Sequence, residues 1–340
     1  MNKFLHLSVI LLLMSANHLS AQNSPFDYVN PMVGTKSMGH TFPGACAPFG
    51  LVQLSPDTEM IPHNIDGVYQ SDAYKYCAGY QYDDKTIIGF SHTHFNGTGH
   101  SDLGDILIMP MTGEVKLDMG TEENPESGYR SRFSHDYEKA EAGYYSVLLQ
   151  DYNILAEMTA TERVGVHRYT FPRETETGHI ILDLDYGIYN YDGKVLMANL
   201  RVEDEYTLTG YRITRGWSRM NYTHFAVKFS KPIQNYGCRN KEKVLYTGFW
   251  RKFDMTDNFP EMFGKHLTAY FDFDFSDGEP LVIKVALSPV DCRGAMKNLE
   301  AETGGKSFED IRNETQRKWE TELSCIQFEA DEETKYVFYT

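Results

Sequence analysis

Repeated alternation of apolar and polar side chains, through "YYSVLLQDYNILAEMTATERVGVHRYTFP" at 144–172, most narrows what this chain can fold into. A period of two puts every second side chain on one face of an extended strand. Breaks near Asp151–Asn153 and Glu162–Arg163, and a stop at Pro172, divide the run into successive antiparallel strands. "GEVKLDMG" at 113–120, "YFDFDF" at 270–275 and "LVIKVALS" at 281–288 alternate in the same way, with "NYDGK" and "SDGEP" as turns between strands. Helical signal is almost absent until "SFEDIRNETQRKWETEL", where Ser307 precedes Asp310 by three residues in a capping-box spacing. Phe308, Ile311, Trp319 and Leu323 would then share one helix face. A second helix begins at "DEETKYVFYT", and Tyr336, Val337 and Tyr339 have no partner face in view. No βαβ alternation points to a dinucleotide fold. The pattern predicts a mainly β chain, an antiparallel β-sandwich followed by linker helices. It divides into 1–21, 22–300 and a helical linker at 301–340 that stops in mid-helix, as a truncated protein would.

The first of these segments is expected to be a secretory signal peptide: Lys3, the apolar run "FLHLSVILLLM", then small polar residues ending in "LSA". No later stretch reaches the roughly 18 apolar residues of a membrane span. The expectation is an exported protein, periplasmic or at the cell surface. Lys3 is the one charged side chain in 1–21, so its removal takes the formal charge from −16 to −17. Such an acidic chain repels nucleic acid and anionic membranes. Five scattered cysteines show no zinc-ligand spacing, and most are expected to be buried thiols. The 23 tyrosines and 20 phenylalanines suit strands, and also surfaces that stack on sugar rings.

"GFSHTHFNGTGHSDLGD" at 89–105 concentrates the chemistry. His92 and His94 could present two imidazoles from one face, with His100, Asp102 and Asp105 nearby, as in a zinc site. The same residues could line a sugar pocket. His94, His100 and Asp102 would then hydrogen-bond hydroxyls, Phe95 would offer an apolar face, and Gly97 would let the backbone approach closely. They could also be satisfied strand histidines beside a glycine-rich turn. The pairs Asp183/Asp185 and Asp272/Asp274 are expected to face solvent or loops rather than to act in catalysis. Trp217, in "RGWS", is expected more in the core than at a ligand.

"VNPMVGT", "PGACAPFGLVQLSPDT", "GYQYDDKTIIGFSHTHFNGTGHSDLGDILIMP" and "ATERVGVHRYTFP" resemble, in order, the amino-terminal domain of glycoside hydrolase family 92, exo-α-mannosidases of Bacteroidetes. The resemblance runs from about Phe26 to the end of the chain. It implies a β-sandwich, a linker and an (α/α)6 barrel, with inverting, calcium-dependent catalysis by two barrel carboxylates. None of the catalytic residues can be carried over to this chain, and the calcium ligands are implied to lie mainly outside it. The implied partners are mannose-containing glycans or glycoproteins. The resemblance also implies that the loop around Phe95, with His94, His100 and Asp102, shapes the subsite for the leaving sugar. Phenylalanine stands where family members often carry tryptophan, which points to a different linkage or acceptor preference. Two other readings stay open: a stand-alone lectin-like sandwich, and a metal hydrolase using the histidines.

Overall fold

The computed structural model describes residues 24–100, 102–189, 191, 193–241 and 260–340. The segment read as a signal peptide lies outside these residues. Two antiparallel sheets face each other. The smaller has seven strands, in the order Ala45–Cys46, Gln53–Asp57, Gly89–Ser91, Leu107–Thr112, Thr177–Asp183, Leu267–Asp274 and Asn235–Asn240. The larger has nine, in the order Glu261–Gly264, Val195–Asp204, Thr207–Thr214, Asn221–Phe229, Leu281–Ser288, Val164–Thr170, Ile154–Ala160, Tyr144–Leu149 and Glu138–Glu141. The chain is therefore a β-sandwich, as the alternation predicts.

The run at 144–172 forms three strands with its turns at the two expected breaks. Inward side chains of both sheets build one core: Leu54, Phe90, Ile108, Ile180 and Phe271 meet Val147, Met158, Tyr169, Phe225, Val227 and Val285. Burying each such side chain contributes about 1.5–3 kcal/mol, so the sandwich rests on apolar burial rather than on surface ion pairs.

"GEVKLDMG" is the exception among the expected strands. The strand Leu107–Thr112 ends before it, at Gly113 with φ +83°. Val115, Leu117 and Met119 still pack against the core, but no ladder pairs their backbone. Outside any ladder the segment is held by the Tyr129 N–H, which donates to Asp118 O at 2.8 Å, and by the Asp118 carboxylate, which takes both Nη atoms of Arg239, at 2.9 and 2.8 Å. Alternation reports one buried face and cannot report a missing neighbour strand.

The five cysteines are all unbridged; Cys77 and Cys238 are buried, Cys46 and Cys292 half-buried and Cys325 exposed. Asp183 is buried, not solvent-facing, and accepts the Tyr129 hydroxyl at 2.7 Å and the Asp185 backbone N–H at 2.8 Å. That burial pushes its carboxyl upward. Asp272 is paired with His179 at 2.7 Å.

Three helices follow the sandwich: α1 (Cys292–Thr303), α2 (Phe308–Leu323) and α3 (Glu332–Tyr339). The first is absent from the sequence reading, because Gly294 and a mostly polar surface leave only Ala295, Leu299 and Thr303 as a buried stripe. Its start was marked by Asp291, whose side chain accepts the Gly294 N–H at 2.6 Å. Ala295 and Leu299 pack with α2 residues Phe308 and Ile311 on the outer face of the larger sheet, against Val164, Val166, Ala226 and Ala286.

Helix α2 opens on the expected capping box: Ser307 Oγ accepts the Asp310 N–H at 3.1 Å, and Asp310 accepts the Ser307 N–H at 2.9 Å. Replacing Ser307 by alanine is expected to cost about 1 kcal/mol in urea unfolding. An unchanged midpoint would mean that packing alone sets this helix start. Helix α3 has a partner face after all, since Tyr336 accepts from Asn30 Nδ2 at 2.8 Å and Tyr339 stacks on Tyr28 at 6.0 Å. Val337 remains exposed.

Candidate functional site

Ser91 ends a central strand of the smaller sheet and Leu107 begins the next, so the chain between them must leave the sheet and return. Its neck is closed by backbone bonds, His92 N–H to Asp105 O at 2.9 Å and Gly104 N–H to Thr93 O at 2.9 Å. Thr93 Oγ1 reinforces it, donating to Asp105 Oδ2 at 2.9 Å and accepting the Asp105 N–H at 2.9 Å. These bonds tie the base of the loop to the sandwich.

Two of the motif's three histidines, His92 and His94, point inward and are spent on holding it. His92 is wholly buried, and burial pushes its imidazole down to about 3. Neutral His92 donates from Nδ1 to Ile106 O at 2.6 Å, which leaves Nε2 to accept from His167 Nε2 at 3.0 Å. His167 then accepts the Tyr169 hydroxyl on Nδ1 at 2.8 Å. This relay stitches the loop base to the opposite sheet. The His94 ring has no exposed side-chain area: Nδ1 lies 2.7 Å from Gln53 O, and Nε2 lies 3.0 Å from Asp57 Oδ1.

The two imidazoles therefore do not converge, which corrects the zinc reading of this pair. Among the described residues no group of three or more His, Cys, Asp or Glu side chains could hold a metal ion. His94 is a buried seat for the loop, at the lining of the cleft beside Phe95.

Phe95 follows, and there the chain turns outward. Its ring is 42% exposed and lines a cleft of about 240 Å³ with Leu51, Gln53, Leu103, Asp105 and Tyr222. The far wall is Leu287–Pro289, at the end of a larger-sheet strand. Gly97 sits beyond it at φ +66°, donating its N–H to His40 O at 2.7 Å, with open space where a Cβ would stand. His100 and Asp102, 3.8 Å apart, meet Trp217 instead of lining the cleft. Trp217 is not a core residue; it is 83% exposed.

Beneath the loop lie two buried basic residues that the sequence reading missed. Arg212 Nη1 donates to Gly104 O at 2.9 Å and to Asp105 Oδ1 at 3.3 Å, while Nη2 donates to Tyr186 O. Lys194 is buried beside it; desolvation, then the neighbouring Arg212 charge, lower its amine to about 7 against the pull of Asp105 and Asp102. Neither residue sits in a recognisable motif, and only the pairing of Thr207–Thr214 with its neighbours brings Arg212 to the loop.

The described residues include no helix long and apolar enough to cross a membrane. Comparison with known proteins places this architecture. An α-mannosidase of glycoside hydrolase family 92 from Bacteroides thetaiotaomicron, solved with mannoimidazole, is 38% identical, with a TM-score of 0.81 over 93% of this chain and 39% of its own. A family 92 inverting mannosidase from the same organism, 24% identical with a TM-score of 0.72, covers 93% of this chain and 38% of its own and shares the fold. An uncharacterized secreted glycosidase of Arthroderma benhamiae is 25% identical over 89% of this chain and 38% of its own length. The chain thus spans about two fifths of the length of these relatives. Residues 28–288 match the glycosyl hydrolase family 92 N-terminal domain and residues 294–340 match the family's catalytic domain. With one match covering the sandwich and the other its trailing helices, the chain belongs to glycosyl hydrolase family 92.

Proposed function

We propose that this chain is the substrate-shaping N-terminal part of an exported, calcium-dependent, inverting exo-α-mannosidase acting on N-glycan-type α-mannosides. The observation that carries the reading is the division of labour within one loop. His92 and His94 are consumed in fixing it, and Phe95 is left half-exposed over a mostly apolar cleft that a few polar side chains, Gln53, Asp105 and Ser288 among them, also line. A pyranose needs that combination of an apolar platform and a few fixed donors and acceptors. The solved relative bound to mannoimidazole supports mannose as the sugar.

In this reading Phe95 packs on the leaving sugar, Gly97 keeps the loop tip low, His94 positions the loop, and His100 and Asp102 act beside the cleft, at the Trp217 turn. An inverting pair needs two carboxyl groups about 6.5–9.5 Å apart with room for a water between them. We assign those groups, and the calcium ligands, to the part of the relatives that lies beyond this chain's match. The experiment is mannose release from α-1,2-linked mannobiose by purified chain, with and without EDTA. No release is expected from folded protein. Release that EDTA abolishes would place an acid, a base and a metal within these residues, and the reading would fall.

A further inference from the structure

Among the large apolar side chains of the described residues Trp217 is second in exposure only to Phe49, and its turn is nevertheless tied to the loop at 92–105. The turn from Arg215 to Met220 is exposed throughout. An indole on such a turn gains nothing from burial, so packing does not explain its place. Its surroundings are nevertheless built. The Trp217 N–H donates to Asp102 Oδ2 at 2.7 Å, and Gly216 N–H donates to Ser218 O at 2.8 Å. The His100 ring lies against the indole with centroids 4.2 Å apart and planes at 55°.

Gly216 is required by this arrangement: a Cβ there would lie 1.6 Å from Asp102 Oδ1. The turn is anchored behind as well, since Arg215 N–H donates to Lys194 O at 2.9 Å and Tyr191 donates its hydroxyl to Arg215 O. His100 and Asp102 belong to the loop that carries Phe95, so that loop fixes one aromatic at the cleft and a second at the Trp217 turn. His100 lies against part of the indole, and the exposure leaves the rest open.

We propose that Trp217 is a stacking platform for a pyranose ring of the glycan beyond the one on Phe95, held in register by Asp102 and His100. This rests on the mannoside reading given above. A sugar ring fits better than a protein surface here. The exposed neighbours are mixed, Arg215, Ser218 and Arg219 with the apolar Met220 and Tyr222, whereas a protein interface core is a contiguous patch depleted of charge. An indole presents a flat apolar face to the C–H side of a pyranose while charged and hydroxyl groups around it meet the ring hydroxyls.

The test is calorimetric titration of the chain with mannose, α-mannobiose and α-mannotetraose, for the native protein and for Trp217→Ala, Trp217→Phe and Phe95→Ala. Trp217→Ala is expected to weaken mannotetraose roughly fivefold to tenfold and leave mannose unchanged, with Trp217→Phe recovering most of the loss. Phe95→Ala should weaken all three. Equal melting temperatures for native protein and Trp217→Ala are expected from the side chain's exposure, so the loss would not reflect unfolding. Mannotetraose binding that Trp217→Ala leaves untouched overturns the platform and leaves the mannoside reading standing. A native chain that binds none of the three sugars overturns both.

Discussion

Replacing Arg212 by methionine is expected to cost about 3–5 kcal/mol of stability and to loosen the loop at 92–105. The guanidinium is 1% exposed and spans three acceptors, Gly104 O, Asp105 Oδ1 and Tyr186 O. Methionine fills comparable space but strands two carbonyls and a buried carboxylate. Each unsatisfied group costs about 1–3 kcal/mol, and the carboxylate costs the most. Lysine at 212 should recover only part of the loss, because one ammonium cannot reproduce the fork of guanidinium donors. Urea unfolding of the three proteins reads this directly. A loss under about 1 kcal/mol would mean that Thr93 and the backbone bonds of the neck hold the loop unaided.

Acid should weaken the native chain through the imidazole relay. Folded His92 titrates at about 3 and His167 well below its ordinary 6.5, both from burial, while in the unfolded chain both regain ordinary values. The unfolded state therefore binds more protons as pH falls through about 6.5, and stability falls with it down to the folded values. Each imidazole contributes a loss of about 1.4 kcal/mol per pH unit in that window. Asp84, raised to about 6 chiefly by burial, and Asp183, raised by the same cause, act in the opposite direction, since the folded state holds their protons more readily. Lys194 acts at higher pH, between its ordinary 10.5 and about 7. The informative quantity is consequently a difference between proteins. A His92→Asn, His167→Asn variant, whatever its stability at pH 7, should lose less than the native chain between pH 6 and pH 4. Parallel losses would show that the two imidazoles are not held neutral by the fold.

The sandwich was legible because alternation is a local signal, repeated wherever a strand has one buried face. It erred at 113–120, where the inner face is real and no strand among the described residues pairs with it. It passed over α1, whose buried stripe is too narrow to dominate its polar residues. The loop was legible as a site by composition, but composition assigned its histidines outward. Their direction depends on Asp57, Gln53 and His167, which sequence distance hides and strand pairing brings close. Trp217 was misplaced for the same reason. Whether an aromatic in a turn is core or surface is decided by what the turn docks on, here a carboxylate 115 positions earlier.

The larger sheet also has an order of assembly written into it. Leu281–Ser288 lies between Val164–Thr170 and Asn221–Phe229, so the sheet's sixth and fourth strands from one edge meet only through the last of the sandwich strands to be synthesised. Until that segment leaves the ribosome, two long apolar strands present open edges, and no local hairpin can close them. Nascent chains of this design depend on delayed, long-range closure, and the interval before it is when they are most exposed to mispairing.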